Sequence, residues 1–274
     1  GLGDVYKRQL CSVSINATFC MSYGLKKEGK FTYSEIGEGR PIIILHGLMG
    51  GLSNFDGVIK GFSQNGYKLV LPQLPIYTQS LLNTNVKSFS KFLKEFIAFK
   101  DYKDVILLGN SLGGHIGLYY TKHFAERVAG LVITGSSGLY ESAMGSGYTK
   151  RSDYNVIKAK AEEVFYDPAV ATKEIVDDVF ATVNDRDKLV KILAIAKSAI
   201  RHNMAKDLPK MATPTCIIWG KNDIVTPPNV AEEFHSLLPN SELYWINKCG
   251  HAPMMEYPER FNEILIEWLE KTGL

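Results

Sequence analysis

Cysteine is scarce in this 274-residue sequence: four residues, Cys11, Cys20, Cys216 and Cys249, with no CxxC pair and no histidine at zinc-ligand spacing. That pattern argues against a disulfide scaffold or a structural zinc module and suits a reducing compartment, so a cytoplasmic protein is expected. An excess of one charge is also missing. Lys plus Arg total 31 against 29 Asp plus Glu, so no global field would recruit nucleic acid or an anionic membrane. No apolar run approaches the roughly 18 residues of a membrane span. The longest, Pro41 to Leu45 and Val105 to Leu108, have strand length, and no internal repeat or low-complexity tract interrupts them. The expected partner is therefore a small-molecule substrate, with no nucleic acid and no membrane, and the oligomeric state stays open.

The first twenty residues stand apart. Lys7-Arg8 precede Leu10 to Cys20, which Ser12, Ser14, Asn16 and Thr18 make too polar for a signal-peptide core. The run Asp4-Val5-Tyr6-Lys7-Arg8-Gln9 reads as the translated end of a transposon-type sequencing adapter. Residues 1–20 are accordingly expected to be a non-native or disordered extension, with the native start at Met21.

Apolar residues make up 45% of the chain, enough for a large core in one domain with an insertion. From Phe31 onward, short apolar runs alternate with amphipathic stretches, the pattern of strands crossing over through helices in a mostly parallel sheet with helices on both faces. Strands are expected near 31–36, 41–46, 67–72, 104–109, 129–134, 214–219 and 242–247. Helices are expected near 53–65, 85–100, 112–125, 228–238 and 258–271, with Pro228 and Pro258 placed where helix starts favour proline. The alternation breaks between 140 and 207, where three helical stretches (around 154–165, 169–183 and 186–204) follow without a strand. Such a length is too great for a loop and predicts a helical lid set into a core of 21–139 and 208–274. Phe165, Phe180, Ile192, Ile195, Ile200 and Met204 are its expected packing residues, and Gly135, Gly138, Gly145 and Gly147 its entry hinges.

One stretch, Leu107-Leu108-Gly109-Asn110-Ser111-Leu112-Gly113-Gly114-His115, sets a serine between a strand and a helix with glycine two positions to each side. A G-x-S-x-G match in that context reads as a nucleophile elbow, in which a strained turn holds the hydroxyl out beyond the sheet edge. A serine hydroxyl needs a base to take its proton, and the base needs an acid to fix its tautomer. Asp223 follows the apolar strand ending at Trp219, and His251 lies in the loop after the next strand. Loops that follow parallel strands open on one edge, so Ser111, Asp223 and His251 are expected to converge. The loop His46-Gly47-Leu48-Met49-Gly50-Gly51 follows an earlier strand. It is expected to supply the Leu48 amide, and the elbow the Leu112 amide, to an oxyanion hole. His46 reads as a brace of that loop, while Asn110, Met49 and Met254 are the expected substrate contacts. No metal or organic cofactor is implied.

With HG, GNSLGG, WGKND and CGH in register, residues 31–271 resemble the α/β-hydrolase superfamily. The resemblance implies that fold, a helical lid and a Ser-Asp-His triad in that chain order. Within the superfamily, GNSLGG with GSSG and a helical lid is similar to small carboxylesterases and to carbon-carbon bond hydrolases of ring-fission products. The latter usually carry HGxGPG where this chain has HGLMGG. Dehalogenases and epoxide hydrolases of the same fold use an Asp nucleophile, which this elbow does not have. The expected function is thus cleavage of a small, fairly apolar ester or related carbonyl compound through an acyl-enzyme. Two alternatives stand beside it: carbon-carbon cleavage of a vinylogous diketone, and a ligand sensor with slow hydrolytic turnover. Removing residues 1–20 is expected to leave melting temperature and activity unchanged, because the preceding composition offers no packing pattern. Calorimetry on the full and shortened chains checks this, and a loss of several degrees would show that the extension docks.

Overall fold

The computed structural model describes residues 24–62, 65–140 and 150–274. The expectations for residues 1–20, Met21, Gly145 and Gly147 lie outside the described residues. One eight-stranded sheet organises the chain. Its strands are β1 (Lys26–Glu28), β2 (Phe31–Ile36), β3 (Arg40–Leu45), β4 (Tyr67–Pro72), β5 (Val105–Asn110), β6 (Val128–Thr134), β7 (Thr215–Gly220) and β8 (Ser241–Ile246). In space they run β1-β2-β4-β3-β5-β6-β7-β8. β2 pairs antiparallel with β1 and β4, and every pair from β4 to β8 is parallel. The seven expected strands are present within one residue of their expected bounds at each end. The added edge strand β1 is three exposed residues, Lys-Lys-Glu, with no apolar signature to announce it.

Helices cover both faces because side chains alternate along each strand. On one face, Ile43, Leu45, Leu107, Leu131, Ile133, Ile217 and Trp219 meet helices α2 (Val86–Phe99), α3 (Leu112–His123) and α7 (Pro228–Leu237); α1 (Asp56–Phe62) and α9 (Pro258–Thr272) cover Ile42, Ile44, Ile106, Leu108, Val132 and Ile218 on the other. α2 shows why such helices form where they do. The Asn85 side chain accepts the Ser88 amide at 2.9 Å to cap it, and Val86, Phe89, Leu93, Phe96 and Ile97 recur at helical spacing to bury one stripe.

Between β6 and β7 the chain forms three further helices, α4 (Tyr154–Glu162), α5 (Lys173–Asn184) and α6 (Arg186–Arg201), and no strand is present there among the described residues. They join the core rather than standing off it. Ile192, Ile195 and Met204 enter one apolar layer, and Ala161, Phe165 and Val176 enter the other. Ile200 departs from its expected role: the buried stripe of α6 runs through Ile192, Ile195 and Ala199, and the next position round the helix leaves Ile200 57% exposed. Among the described residues no helix is long and apolar enough to cross a membrane.

Contact between α3 and β3 is tight enough to require glycine. A Cβ at Gly113 would lie 2.0 Å from the Leu45 carbonyl oxygen, whereas one at Gly51 would meet only Ser53 Oγ at 3.7 Å. Gly113→Ala is therefore expected to cost about 1–3 kcal/mol or more, and Gly51→Ala less than about 0.5 kcal/mol. Urea unfolding of the two variants beside the native chain measures the difference.

Candidate active site

β5 ends at Asn110 and α3 begins at Leu112, which leaves Ser111 in the turn with φ 54° and ψ −119°. A non-glycine residue in this region costs on the order of 1–3 kcal/mol and persists only where its surroundings fix it. Here backbone bonds do so: Ser111 donates to Thr134 O at 3.1 Å, and its carbonyl accepts the His115 and Ser137 amides, each at 3.2 Å. Asn110 braces the turn from below. It is 5% exposed, and its Nδ2 donates to the Thr134 and His251 carbonyls, both at 3.1 Å. The amide expected to meet substrate is thus committed to two backbone groups, one of them belonging to His251.

Asp223 and His251 meet as the topology requires. His251 Nδ1 donates to Asp223 Oδ2 at 2.9 Å, with both residues buried. The remaining capacity of the carboxylate is filled from its own turn: Oδ1 accepts the Val225 and Thr226 amides at 2.8 and 2.9 Å, and Oδ2 accepts Thr226 Oγ1 at 2.8 Å. A carboxylate so fixed holds the ring in the Nδ1–H tautomer and leaves Nε2 to take a proton. Thr226, absent from the sequence reading, has a recognisable signal in its position three residues after the aspartate, where Asx turns form. Trp219, at the end of β7, donates Nε1–H to the Thr226 carbonyl at 2.9 Å and secures the same turn. Among the described residues no hydrogen bond joins the Ser111 hydroxyl to His251, an arrangement that in unliganded sites often tightens only with substrate.

The loop after β3 lies against the elbow. A Cβ on Gly47 would sit 3.3 Å from Ser111 Cβ. His46 braces the loop as a neutral ring: Nε2 accepts the Leu74 amide at 3.3 Å, Nδ1 lies 2.9 Å from Gly47 O, and burial lowers its pKa. Among the described residues the amides of Leu48 and Leu112 have no carbonyl partner, and Leu112 opens α3, where first-turn amides lack an intrahelical acceptor. Tyr77 Oη donates to Leu48 O at 2.9 Å, and Lys191 of α6 donates to Tyr77 O at 2.9 Å and to Asp187 at 2.6 Å. Sequence reasoning missed both residues, since a lone Tyr in a loop and a Lys on a helix carry no pattern.

A cavity of about 20 Å³ adjoins Ser111, lined by Leu48, Leu112, Ser137, Ile195, Ala196 and Ala199. That is room for about one water, and α6 supplies three of its lining residues. Met49 is half-buried beside this apolar layer. Met254, expected to touch substrate, instead lies 1% exposed in the apolar layer of the opposite face, on the short helix α8 (Pro253–Glu256). The expected hinge glycines Gly135 and Gly138 have φ +51° and +119° and serve as close approaches, where a Cβ would lie 2.8 Å from His251 Nδ1 and 3.3 Å from the His115 ring. A larger groove of about 460 Å³ runs beyond the acid turn, between Ala159 to Pro168 and Asn222 and Ile224.

Comparison with known proteins agrees with this architecture. The family model described as the alpha/beta hydrolase fold matches residues 40–154 and 161–258. The chain is similar to an alpha/beta hydrolase enzyme from the metagenome of sediments from the lagoon of Mar Chica, Morocco, at 61% identity and a TM-score of 0.77 over 91% of this chain and 99% of that one. It is 26% identical over 259 residues to the 2-hydroxy-6-oxononadienedioate/2-hydroxy-6-oxononatrienedioate hydrolase of Paraburkholderia phymatum, covering 86% of this chain and 90% of the relative. An esterase from Exiguobacterium antarcticum shares the fold, with a TM-score of 0.75 and 21% identity over 88% of this chain and 96% of that one.

His115, one turn along α3 from Ser111, is wholly buried, with Nε2 2.9 Å from the His202 carbonyl and Nδ1 3.4 Å from Ser137 Oγ. Burial pulls its pKa down to about 4. The unfolded chain, with an ordinary histidine near 6.5, binds more protons between these values, so stability should fall as pH drops from about 6.5 to about 4, by on the order of 3 kcal/mol from this residue. Denaturant unfolding at several pH values across that window should show a shallower fall for His115→Gln than for the native chain. Parallel slopes would reject a buried neutral His115.

Proposed function

Because the chain belongs to the α/β-hydrolase fold family, we propose that it is a serine hydrolase that cleaves a small, fairly apolar ester through an acyl-enzyme. The observation that carries this reading is the buried His251–Asp223 pair, held by the Asn110 amide beside the strained Ser111 turn. Ser111 Oγ attacks the ester carbonyl while His251 Nε2 takes its proton, and Asp223 keeps Nδ1–H in place and stabilises the imidazolium. The developing oxyanion takes the Leu48 and Leu112 amides. His251 returns the proton to the leaving alcohol, and water, activated by the same ring, releases the acid.

Cavity lining supports the apolar substrate. None of its seven residues is charged. Among these lining residues a substrate carboxylate would find no counter-ion, at a cost an uncharged ester avoids. Room for about one water means that α6 must withdraw before a substrate enters, which supports reading residues 140–207 as a lid. A second reading, carbon-carbon cleavage of a vinylogous diketone, draws its support from the relatives named as oxononadienedioate hydrolases, one of them from Paraburkholderia phymatum.

A fluorophosphonate probe should label Ser111 and fail on Ser111→Ala, and Asp223→Asn should keep the fold while kcat falls by up to about 10⁴. Activated short-chain esters should turn over many times per enzyme, faster than a vinylogous diketone dicarboxylate. The reverse order would favour carbon-carbon cleavage. Turnover that stalls near one event per chain would favour a ligand sensor, and native protein inert to the probe would reject the serine as nucleophile.

A further inference from the structure

The histidine loop and the helical insertion meet at one carboxylate. Glu256 closes α8, half-buried, and its two oxygens face opposite ways. Oε1 accepts the amide of Gly250, the residue before His251, at 2.7 Å, and Oε2 accepts the amide of Tyr166, in the segment after α4, at 2.8 Å. The Cys249 thiol also donates to Oε1, at 3.6 Å. Alongside, the His251 amide donates to Val164 O at 2.8 Å. Two successive peptides of the histidine loop are therefore secured to residues 164–167, one directly and one through Glu256. On its other side the loop is fixed to the core, by Asn222 N to Cys249 O at 2.9 Å and by Asn110 to His251 O.

We infer that Glu256 is a positioning residue that couples the helical insertion to His251, its carboxylate holding the Gly250 amide on one oxygen and the Tyr166 amide on the other. A carboxylate accepts on both oxygens, so a single rigid group joins the two segments. When 164–167 is seated, the histidine loop is held in register with Ser111, and when that segment lifts, the loop loses the Val164 anchor of its four, while Glu256, the Gly250 anchor, loses its own brace at Tyr166. A glutamine cannot substitute. One end of its amide is a donor, and it would face a backbone N–H on one side of the bridge.

The kinetic part of this inference rests on the serine-hydrolase reading; the structural part does not. In Glu256→Gln, kcat on a short-chain ester should fall about tenfold to a hundredfold while KM moves less than about threefold, because the reacting groups are misplaced rather than the substrate lost. Hydrogen exchange should show the Gly250, His251 and Tyr166 amides speeding up together, by about tenfold or more. Arg260→Ala, which removes only exposed pairs with Glu263 and Glu267 on α9, is the control and should change neither measurement. A folded Glu256→Gln with kcat within about twofold of native, or faster exchange on one side of the bridge alone, would overturn the coupling. Should the native chain fail to react with a fluorophosphonate, the hydrolase reading falls, and the exchange experiment still decides the coupling.

Discussion

Contact between α3 and β3 is the constraint on which the rest of the site depends. With no side chain at Gly113, the helix rests on the Leu45 carbonyl, and that approach fixes where Ser111 emerges. The chain leaves Leu45 directly into His46, Gly47 and Leu48, so the packing that admits the helix also sets the Leu48 loop beside the serine. A displaced α3 would carry away Ser111 and the Leu112 amide together. The strained Ser111 backbone is tolerable because Thr134, Ser137 and His115 all bond to it from elements fixed by the same sheet.

The helical insertion touches the site at its two ends. Lys191 of α6 holds Tyr77, which holds the Leu48 carbonyl, and residues 164–167 hold the histidine loop. Ile195, Ala196 and Ala199 of α6 line the cavity beside the serine. One insertion therefore covers the hydroxyl and also steadies the groups on either side of it. In that light the burial of Lys191 makes sense: a cation on an apolar face is costly unless its donors are used, and here they meet Asp187 and Tyr77 O.

Much of this was legible in the sequence, for a physical reason. Central parallel strands are buried on both faces, so β5 and β7 read as unbroken apolar runs, and the residues that follow them must share an edge. That is why Ser111, Asp223 and His251 are expected on one edge without any distance being known, and Asp223 and His251 do meet there. What the sequence hid depends on pairings between distant segments. Glu256 and Tyr77 act through backbone groups 90 and 29 residues away, and Thr226 matters only because its turn happens to face His251. The assignments that missed share a cause as well. Met254 and Ile200 were judged by residue type, but the short α8 and the rotation of α6 decide which way each points. Gly135 and Gly138 suggested hinges by composition, whereas the histidine rings packed over them leave little freedom.

Trp219 adds one consequence of a different kind. It is fully buried, and its indole N–H is bonded to the carbonyl of Thr226, the residue that closes the acid turn on Asp223. Indole emission responds to the polarity and hydrogen bonding around that N–H, so the chain carries a built-in optical reporter within one residue's reach of its charge-bearing pair. Trp268 lies on α9, and Trp245 on β8 is the cross-strand partner of Trp219, so the 219 signal is isolated by replacing these two. A spectroscopist following the 219 signal in such a chain would be watching the Asp223 turn itself, with no label attached.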